Sequence, residues 1–154
     1  MDQKFIYDDL RSWLAAARDL GEVRDVEGAT WQEDIGMATE LLHHTDPAPA
    51  ALFDSIPGYP AGFRVLSNFF GGKRMNMTLG FPKAQNKIEL ADAFTAMYRK
   101  AEPISHTFVE SGPILENVQT GGDVNVLSFP TPLWHELDGG RYIGTGSFNV
   151  TQDP

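Results

Sequence analysis

Leu10, Trp13, Leu14 and Ala17 recur at helical spacing, with Asp8 and Asp9 before them where the positive end of a helix dipole would lie. Gly21 follows Leu20 as a stop, so the pattern predicts a helix over 8–20 and a short strand over 22–26 anchored by Val23 and Val26. Thr30-Trp31-Gln32-Glu33 has the form of a capping box, and Ile35, Ala38, Leu41 and Leu42 continue one apolar face behind it. His43 and His44 fall in the last turn of that helix, before Asp46-Pro47-Ala48-Pro49 ends it. Residues 51–53 and 63–67 read as strands, a hairpin or a pair in one sheet, around the turn Pro57-Gly58-Tyr59-Pro60. A Gly-containing loop over 68–74 feeds a short helix over 75–79. Asn86 then caps a helix whose face carries Leu90, Phe94, Met97 and Tyr98, and Pro103 stops it.

The helical period disappears after Pro103, where the chain becomes rich in Pro, Gly and β-formers. Residues 114–118 and 124–127 are short strand candidates separated by Gly121-Gly122. Pro130-Thr131-Pro132 is extended and stiff, Asp138-Gly139-Gly140 is a tight turn, and 141–151 reads as a strand that runs almost to Pro154. These strands cannot close a sandwich or barrel by themselves. The pattern therefore predicts an α+β chain, with a mixed α/β domain over 1–110 and the first strands of an incomplete β domain over 111–154.

Composition narrows the class. With 154 residues, 42% apolar and 21% charged, the chain matches a globular protein able to bury a core without staples. The absence of cysteine excludes disulfides, zinc-thiolate sites and thiol chemistry. A net charge of −9, from 12 basic and 21 acidic residues, opposes nucleic acid and anionic membrane as partners. No apolar run reaches the roughly 18 residues of a membrane span, and MDQKFIYDDL lacks the features of a secretory signal. The cytoplasm is the expected location.

The richest chemical segment runs from Trp134 to Tyr142 and holds His135, Glu136, Asp138 and Arg141. It is not an HExxH zinc motif, because position 139 is Gly, and residues 144–147 do not match GxSxG. Its structural reading is a loop in which Asp138 orders the Gly-Gly turn and Arg141 pairs with a nearby carboxylate. His43 and His44 point about 100° apart on a helix and read as a solvated helix end. His106 reads as a partly buried packing residue. The 68–74 loop, with Lys73 and Arg74, is either a phosphate cradle or a turn before a packed helix, and it lacks the P-loop pattern. Gly144-Thr145-Gly146 within a strand marks either a flat ligand over the strand, hydrogen-bonded by Thr145, or a bulge at a barrel bend.

The order of segments resembles the N-terminal part of the UbiD family of decarboxylases. The resemblance is carried by Asp9-Leu10-Arg11, Leu20-Gly21-Glu22, Ala51-Leu52-Phe53-Asp54, Gly58-Tyr59, Asn68 to Gly72 and Leu79-Gly80. It is clearest in Gly122-Asp123-Val124-Asn125-Val126, Phe129-Pro130-Thr131-Pro132, Asp138-Gly139-Gly140-Arg141-Tyr142-Ile143 and Val150-Thr151-Gln152-Asp153-Pro154. It implies a reversible, non-oxidative decarboxylase of aromatic or α,β-unsaturated carboxylic acids, in which prenylated FMN is the electron sink and the protein positions and protonates. It also implies that the β domain is a split barrel of flavin-reductase type.

The resemblance implies a cofactor contact at Thr145, with Gly144 and Gly146 allowing close approach. It transfers no catalytic residue and no metal ligand, because the family's Mn²⁺ or Mg²⁺ ligands (K⁺ is a further ion of the family) and its Glu-Arg-Glu network lie beyond the Asp-Pro at 153–154. Without that metal the bridge to the flavin phosphate is missing, so residues 1–154 alone are expected to be inactive and to hold flavin weakly. The expected partners are a small aromatic acid, and further copies of the chain or a complementing C-terminal polypeptide. The alternative is a non-catalytic binding or assembly module of the same family, or a minimal flavin binder using Thr145 and the Arg74 region.

Overall fold

A computed structural model describes residues 3–144. Helix α1 spans Leu10–Asp19 and is started by Asp9 rather than Asp8. The Asp9 carboxylate accepts from the Ser12 backbone N–H at 2.7 Å, and the Ser12 hydroxyl accepts from the Asp9 N–H at 3.0 Å, a reciprocal cap. The Ser12 N–H, and after it the Ser12 hydroxyl, hold the Asp9 carboxyl below the usual aspartate range.

Strand β1 (Val23–Glu27) leads through α2 (Asp34–His43) to β2 (Ala50–Asp54). Strand β3 (Val65–Ser67) follows, then α3 (Gly72–Thr78) and α4 (Lys87–Tyr98). The sheet order is β1-β2-β3. β1 and β2 are parallel, with Val23 opposite Ala50, and α2 supplies the crossover that a parallel pair requires. β2 and β3 are antiparallel, with Phe53 opposite Val65, so the two strands expected around the Pro57 turn do pair.

β2 is the centre of the domain and has no polar face. Ala50 and Leu52 pack to one side with Trp13, Leu14, Ala17, Val23 and Met77. Ala51 and Phe53 pack to the other with Ala29, Ile35 and Ile56. Alternation of side chains along a strand puts both pairs in contact with a helix, which is why this stretch reads as continuously apolar. A third cluster, Phe81, Ala84, Leu90 and Ala93, joins α4 to Met75 and Leu79. Phe94 and Tyr98 lie at the margin of that face and are exposed.

Two helix starts differ from the sequence expectation. The Thr30 box is closed by Asp34, not Glu33: the Asp34 carboxylate accepts from the Thr30 N–H and the Thr30 hydroxyl, each at 2.8 Å, while Glu33, the residue before α2, makes no side-chain cap bond. The Thr30 N–H is the larger cause of a lowered Asp34 pKa. Helix α3 begins at Gly72 instead of Met75, because its first turn is capped from a distant segment. The Glu22 carboxylate accepts from the N–H groups of Lys73 and Arg74 at 3.1 and 3.2 Å. Gly72 has φ of +51°, and a Cβ there would lie 2.7 Å from Glu22 Oε2.

The same carboxylate pairs with the Arg74 guanidinium at 2.9 Å, with Arg74 fully buried and Glu22 7% exposed. Arg74 Nη2 donates to the carbonyls of Ala48 at 3.0 Å and Asn68 at 2.9 Å. One guanidinium therefore joins the residue before β1, the loop before β2 and the loop before α3. Burial pushes the Arg74 guanidinium below its ordinary range, against the opposing effect of Glu22.

The strands expected at 114–118 and 124–127 are not formed. In their place are single 3-10 turns at Pro113–Leu115, Gly121–Asp123 and Val126–Ser128. Local bonds win because, among the described residues, no neighbouring strand offers a ladder: Asn125 Oδ1 accepts from the Leu127 N–H at 3.0 Å, and Gly121 has φ of +58°. His106 is exposed rather than partly buried, and its ring meets that of Phe108 in an edge contact. Arg141–Gly144 is not a strand either, and the rest of the strand expected to Thr151 lies outside the described residues. The start of a split barrel is thus not seen among the described residues.

The chain returns to the first domain at Leu133, whose N–H donates to the Trp31 carbonyl at 2.9 Å. Trp134 packs against the cluster around Ile35 and Phe53. Gly36 of α2 permits this approach, since a Cβ there would lie 2.3 Å from the Trp134 carbonyl oxygen.

Replacing Glu22 by Gln leaves the Arg74 charge buried without its partner, and is expected to lower the unfolding free energy by about 3 kcal/mol or more in urea melts. Replacing Arg18, whose ion pair with Asp25 is solvent-exposed, should cost about 1 kcal/mol or less in the same assay. Gly36→Ala should favour α2 by about 1 kcal/mol on propensity alone. It is expected instead to undock residues 133–134, read as faster hydrogen exchange at the Leu133 amide. The Asp9 and Asp34 carboxyls titrate lower in the folded chain, so their stabilisation is present above the unfolded pKa and lost as pH falls through the folded one. A double Asp9→Ala, Asp34→Ala variant should therefore lose stability less steeply on acidification than the wild type, measured by denaturant melts between neutral and acid pH.

Candidate functional site

The segment leading to the sequence-predicted ligand strand is held by one side chain. Pro130 and Pro132 are buried against the first domain, and the Thr131 N–H donates back to the Phe129 carbonyl at 2.8 Å, a tight turn across Pro130. The Phe129 and Thr131 carbonyls are both engaged by Arg141. Its Nε donates to Thr131 at 2.6 Å and its Nη2 to Phe129 at 3.1 Å. The guanidinium lies over the Trp31 ring, 4.0 Å from the centroid, and Nη2 also donates to the Tyr59 hydroxyl. Tyr59 in turn donates to the Leu127 carbonyl at 3.4 Å.

This arrangement corrects the expected role of Arg141. Among the described residues it pairs with no carboxylate. Its planar fork matches two carbonyls and a hydroxyl, and its face matches an indole, a combination an ammonium could not satisfy. Asp138 does order its turn, accepting from the His135 N–H at 3.0 Å, and Trp134 Nε1 donates to the Tyr142 carbonyl at 3.3 Å. The chain between Phe129 and Tyr142 is thereby closed on itself and fixed to the entrance of α2.

Beside it lies a line of exposed acids and imidazoles. Glu40 Oε1 meets His44 Nε2 at 2.9 Å, Glu40 Oε2 lies 3.7 Å from His135 Nε2, and His135 Nδ1 lies 3.7 Å from Asp138. The His44 hydrogen bond is the main reason the Glu40 carboxyl is lowered. Among the described residues no three His, Asp or Glu side chains are gathered closely enough to hold a metal ion. His43 and His44 are exposed at the end of α2, as expected of a solvated terminus.

The 68–74 loop does not fit a phosphate. Its amides at Lys73 and Arg74 already bind the Glu22 carboxylate, and Arg74 faces inward. A cleft of about 290 Å³ is bordered by Gly21, Glu22, Arg24, Thr45 and Pro47, and the Glu22 carboxylate is committed to Arg74.

Of the sequence-predicted cofactor contacts, Gly144 is exposed three residues beyond Arg141, and Thr145 and Gly146 lie outside the described residues. Sequence reasoning missed Glu22 as a partner for Arg74, and Trp31 and Tyr59 as a seat for Arg141. Gly36 carried a signal that was available, since a glycine inside an amphipathic helix is costly unless another backbone comes close.

The 3-octaprenyl-4-hydroxybenzoate carboxy-lyase N-terminal domain, UbiD_N, matches residues 12–94, and the Rift-related domain of the same enzyme matches residues 106–154. The pyrrole-2-carboxylic acid decarboxylase of Pseudomonas aeruginosa is 36% identical over 95% of this chain, which spans 31% of that protein. The vanillic acid decarboxylase of Sedimentibacter hydroxybenzoicus in an open form superposes with a TM-score of 0.77 at 26% identity, covering 89% of this chain and 30% of the other. Its closed form gives 0.74 at 25% identity, covering 88% of this chain and 29% of the other. No helix among the described residues is long and apolar enough to cross a membrane. With the carboxy-lyase N-terminal domain matched over more than half of its length, the chain belongs to the UbiD family.

Proposed function

We propose that this chain contributes the N-terminal part of a reversible, non-oxidative decarboxylase acting on aromatic or α,β-unsaturated carboxylic acids in the cytoplasm. The observation that carries this reading is the 36% identity to a pyrrole-2-carboxylate decarboxylase across 95% of the chain, including the segment with Thr145. The division into an α/β domain over 1–110 and a flavin-binding β domain from 111 is supported by two adjoining domain matches, one ending at residue 94 and the next beginning at 106. Prenylated FMN would supply the electron sink for loss of carbon dioxide. The residues of this chain would position it, with Thr145 donating a hydrogen bond to the flavin and Gly144 and Gly146 leaving room for its flat face. A divalent metal, where the family's chemistry calls for one, would be held by side chains other than those of residues 1–154, on the same polypeptide or on a complementing one. The substrate is a small acid whose ring or double bond can be conjugated with the scissile carboxylate.

Decarboxylation assays on pyrrole-2-carboxylate and hydroxybenzoate-type acids, with prenylated FMN and Mn²⁺, test the reading. Residues 1–154 alone are expected to give no turnover, and addition of a polypeptide carrying the rest of a UbiD-type chain is expected to restore it. Turnover by residues 1–154 alone would show that the catalytic machinery has been placed wrongly. Absence of turnover in the supplemented reaction, with flavin bound, would favour the assembly-module alternative.

A further inference from the structure

Residues 129–142 rest on the first domain at two places. One is the seat of Arg141 on Trp31 and Tyr59, where an arginine keeps its charge across the physiological range. The other lies along one ridge of α2. Gly36, Glu40 and the helix-capping His44 stand at i, i+4 and i+8 and share a face. Gly36 makes room for the Trp134 carbonyl, and Glu40, one turn further on, meets the next residue, His135. Glu40 Oε1 lies 2.9 Å from His44 Nε2, and its Oε2 lies 3.7 Å from His135 Nε2. The other ring nitrogen of His135 lies 3.7 Å from Asp138 Oδ2, the oxygen that accepts the His135 backbone N–H. The ring thus stands between a carboxylate of the first domain and a carboxylate of its own turn. Among the described residues no lysine or arginine pairs with Glu40 or Asp138. The cations within their reach are imidazoles, whose charge changes between about pH 5 and 8.

We propose that the contact of His135 with Glu40 is a proton-operated latch, which holds residues 129–142 more tightly to α2 in mild acid than at slightly alkaline pH. Proton uptake turns both ring nitrogens of His135 into donors, one toward each carboxylate. Undocking the loop takes His135 away from Glu40 and leaves it with Asp138, so the added charge favours the docked loop through Glu40. His44 faces the same carboxylate from α2, and the His43 ring meets that of His44 edge-on at 5.8 Å. Glu136, next to His135 in sequence, is exposed and adds an acid at this end of the loop. Charge on His44 opposes charge on His135, yet two protons on the pair only cancel the charges of Glu40 and Asp138. In a chain of net charge −9 that relieves a local excess of acid. The attraction is present below the imidazole range and fades as pH rises through it. It is lost again in stronger acid, once Glu40 takes up a proton. The His44 hydrogen bond, and after it the charges of His44 and His135, hold the Glu40 carboxyl below its usual range, which keeps this lower limit apart from the upper one.

The test is backbone hydrogen exchange of the intact chain at about pH 5.5 and about pH 7.5, on either side of the imidazole range, with the intrinsic rate at each pH divided out. The reporter is the Leu133 amide, which donates to the Trp31 carbonyl at 2.9 Å, and the amides of α1 and β2 are the references. In the wild type, protection at Leu133 relative to the references should be about threefold higher at the lower pH, the scale of one exposed ion pair. His135→Asn and Glu40→Gln should each remove this difference. The two side chains are 61% and 56% exposed, so both variants should fold, with protection at the higher pH within about twofold of wild type. His44→Asn should keep the difference, which separates the latch from the ion pair at the end of α2. A wild-type difference that is absent, of opposite sign or equal in α1 and β2 would overturn the proposal. So would a difference that survives His135→Asn or Glu40→Gln, or one that disappears in His44→Asn.

Discussion

The fold depends on a carboxylate and a guanidinium buried together between β1 and α3. Glu22 accepts from two amides at the start of α3 and from Arg74, and Arg74 Nη2 donates to the carbonyls of Ala48 and Asn68. A buried ion pair gains its stability only when its other lone pairs and protons are also satisfied, and here nearly all are. The pair therefore acts less as a local attraction than as a junction of three connecting segments. It sets where β1 begins, how the Pro-rich loop approaches β2 and at which residue α3 starts. The cores on the two faces of β2 can then form, because the helices that cover them are held at fixed ends.

The same pair decides a chemical question. A glycine-containing loop followed by a helix, with Lys73 and Arg74 at its start, has the composition of an anion site. In this protein the anion is internal. The donors that would meet a phosphate are occupied by Glu22, and Gly72 is needed so that this carboxylate can come close. The second arginine of note, Arg141, works on the opposite principle. It has no charged partner among the described residues, lies at a half-exposed edge, and gains from geometry: a fork for two carbonyls and a plane for Trp31. One arginine builds the domain and the other fastens to it the chain that continues toward the β domain.

Family membership and local geometry bear on different scales. The family assignment rests on the sequence of the chain as a whole and says which chemistry its relatives perform. The geometry says how these residues are held: the first domain offers a seat at Trp31, Tyr59 and Gly36, and residues 129–142 close over that seat. The extended stretch between α4 and Phe129 makes few contacts with the domain, so the anchoring of the later segment falls to the Arg141 loop alone among the described residues.

The helices and the central strand were legible in the amino-acid sequence because their causes are local. Periodicity placed α1 and α4, Asn86 announced its cap, and the apolar run at 51–53 announced a short buried strand. The order of short motifs was also enough to give the family. What the sequence could not determine were contacts between residues far apart along it. Glu22 and Arg74 are 52 positions apart, and Arg141 and Tyr59 are 82 apart, so no spacing rule links them. The strands read into residues 114–127 failed for the same reason. A β-forming sequence becomes a strand only when a neighbour supplies the other half of each hydrogen bond, and among the described residues none does, so local turns take the backbone instead.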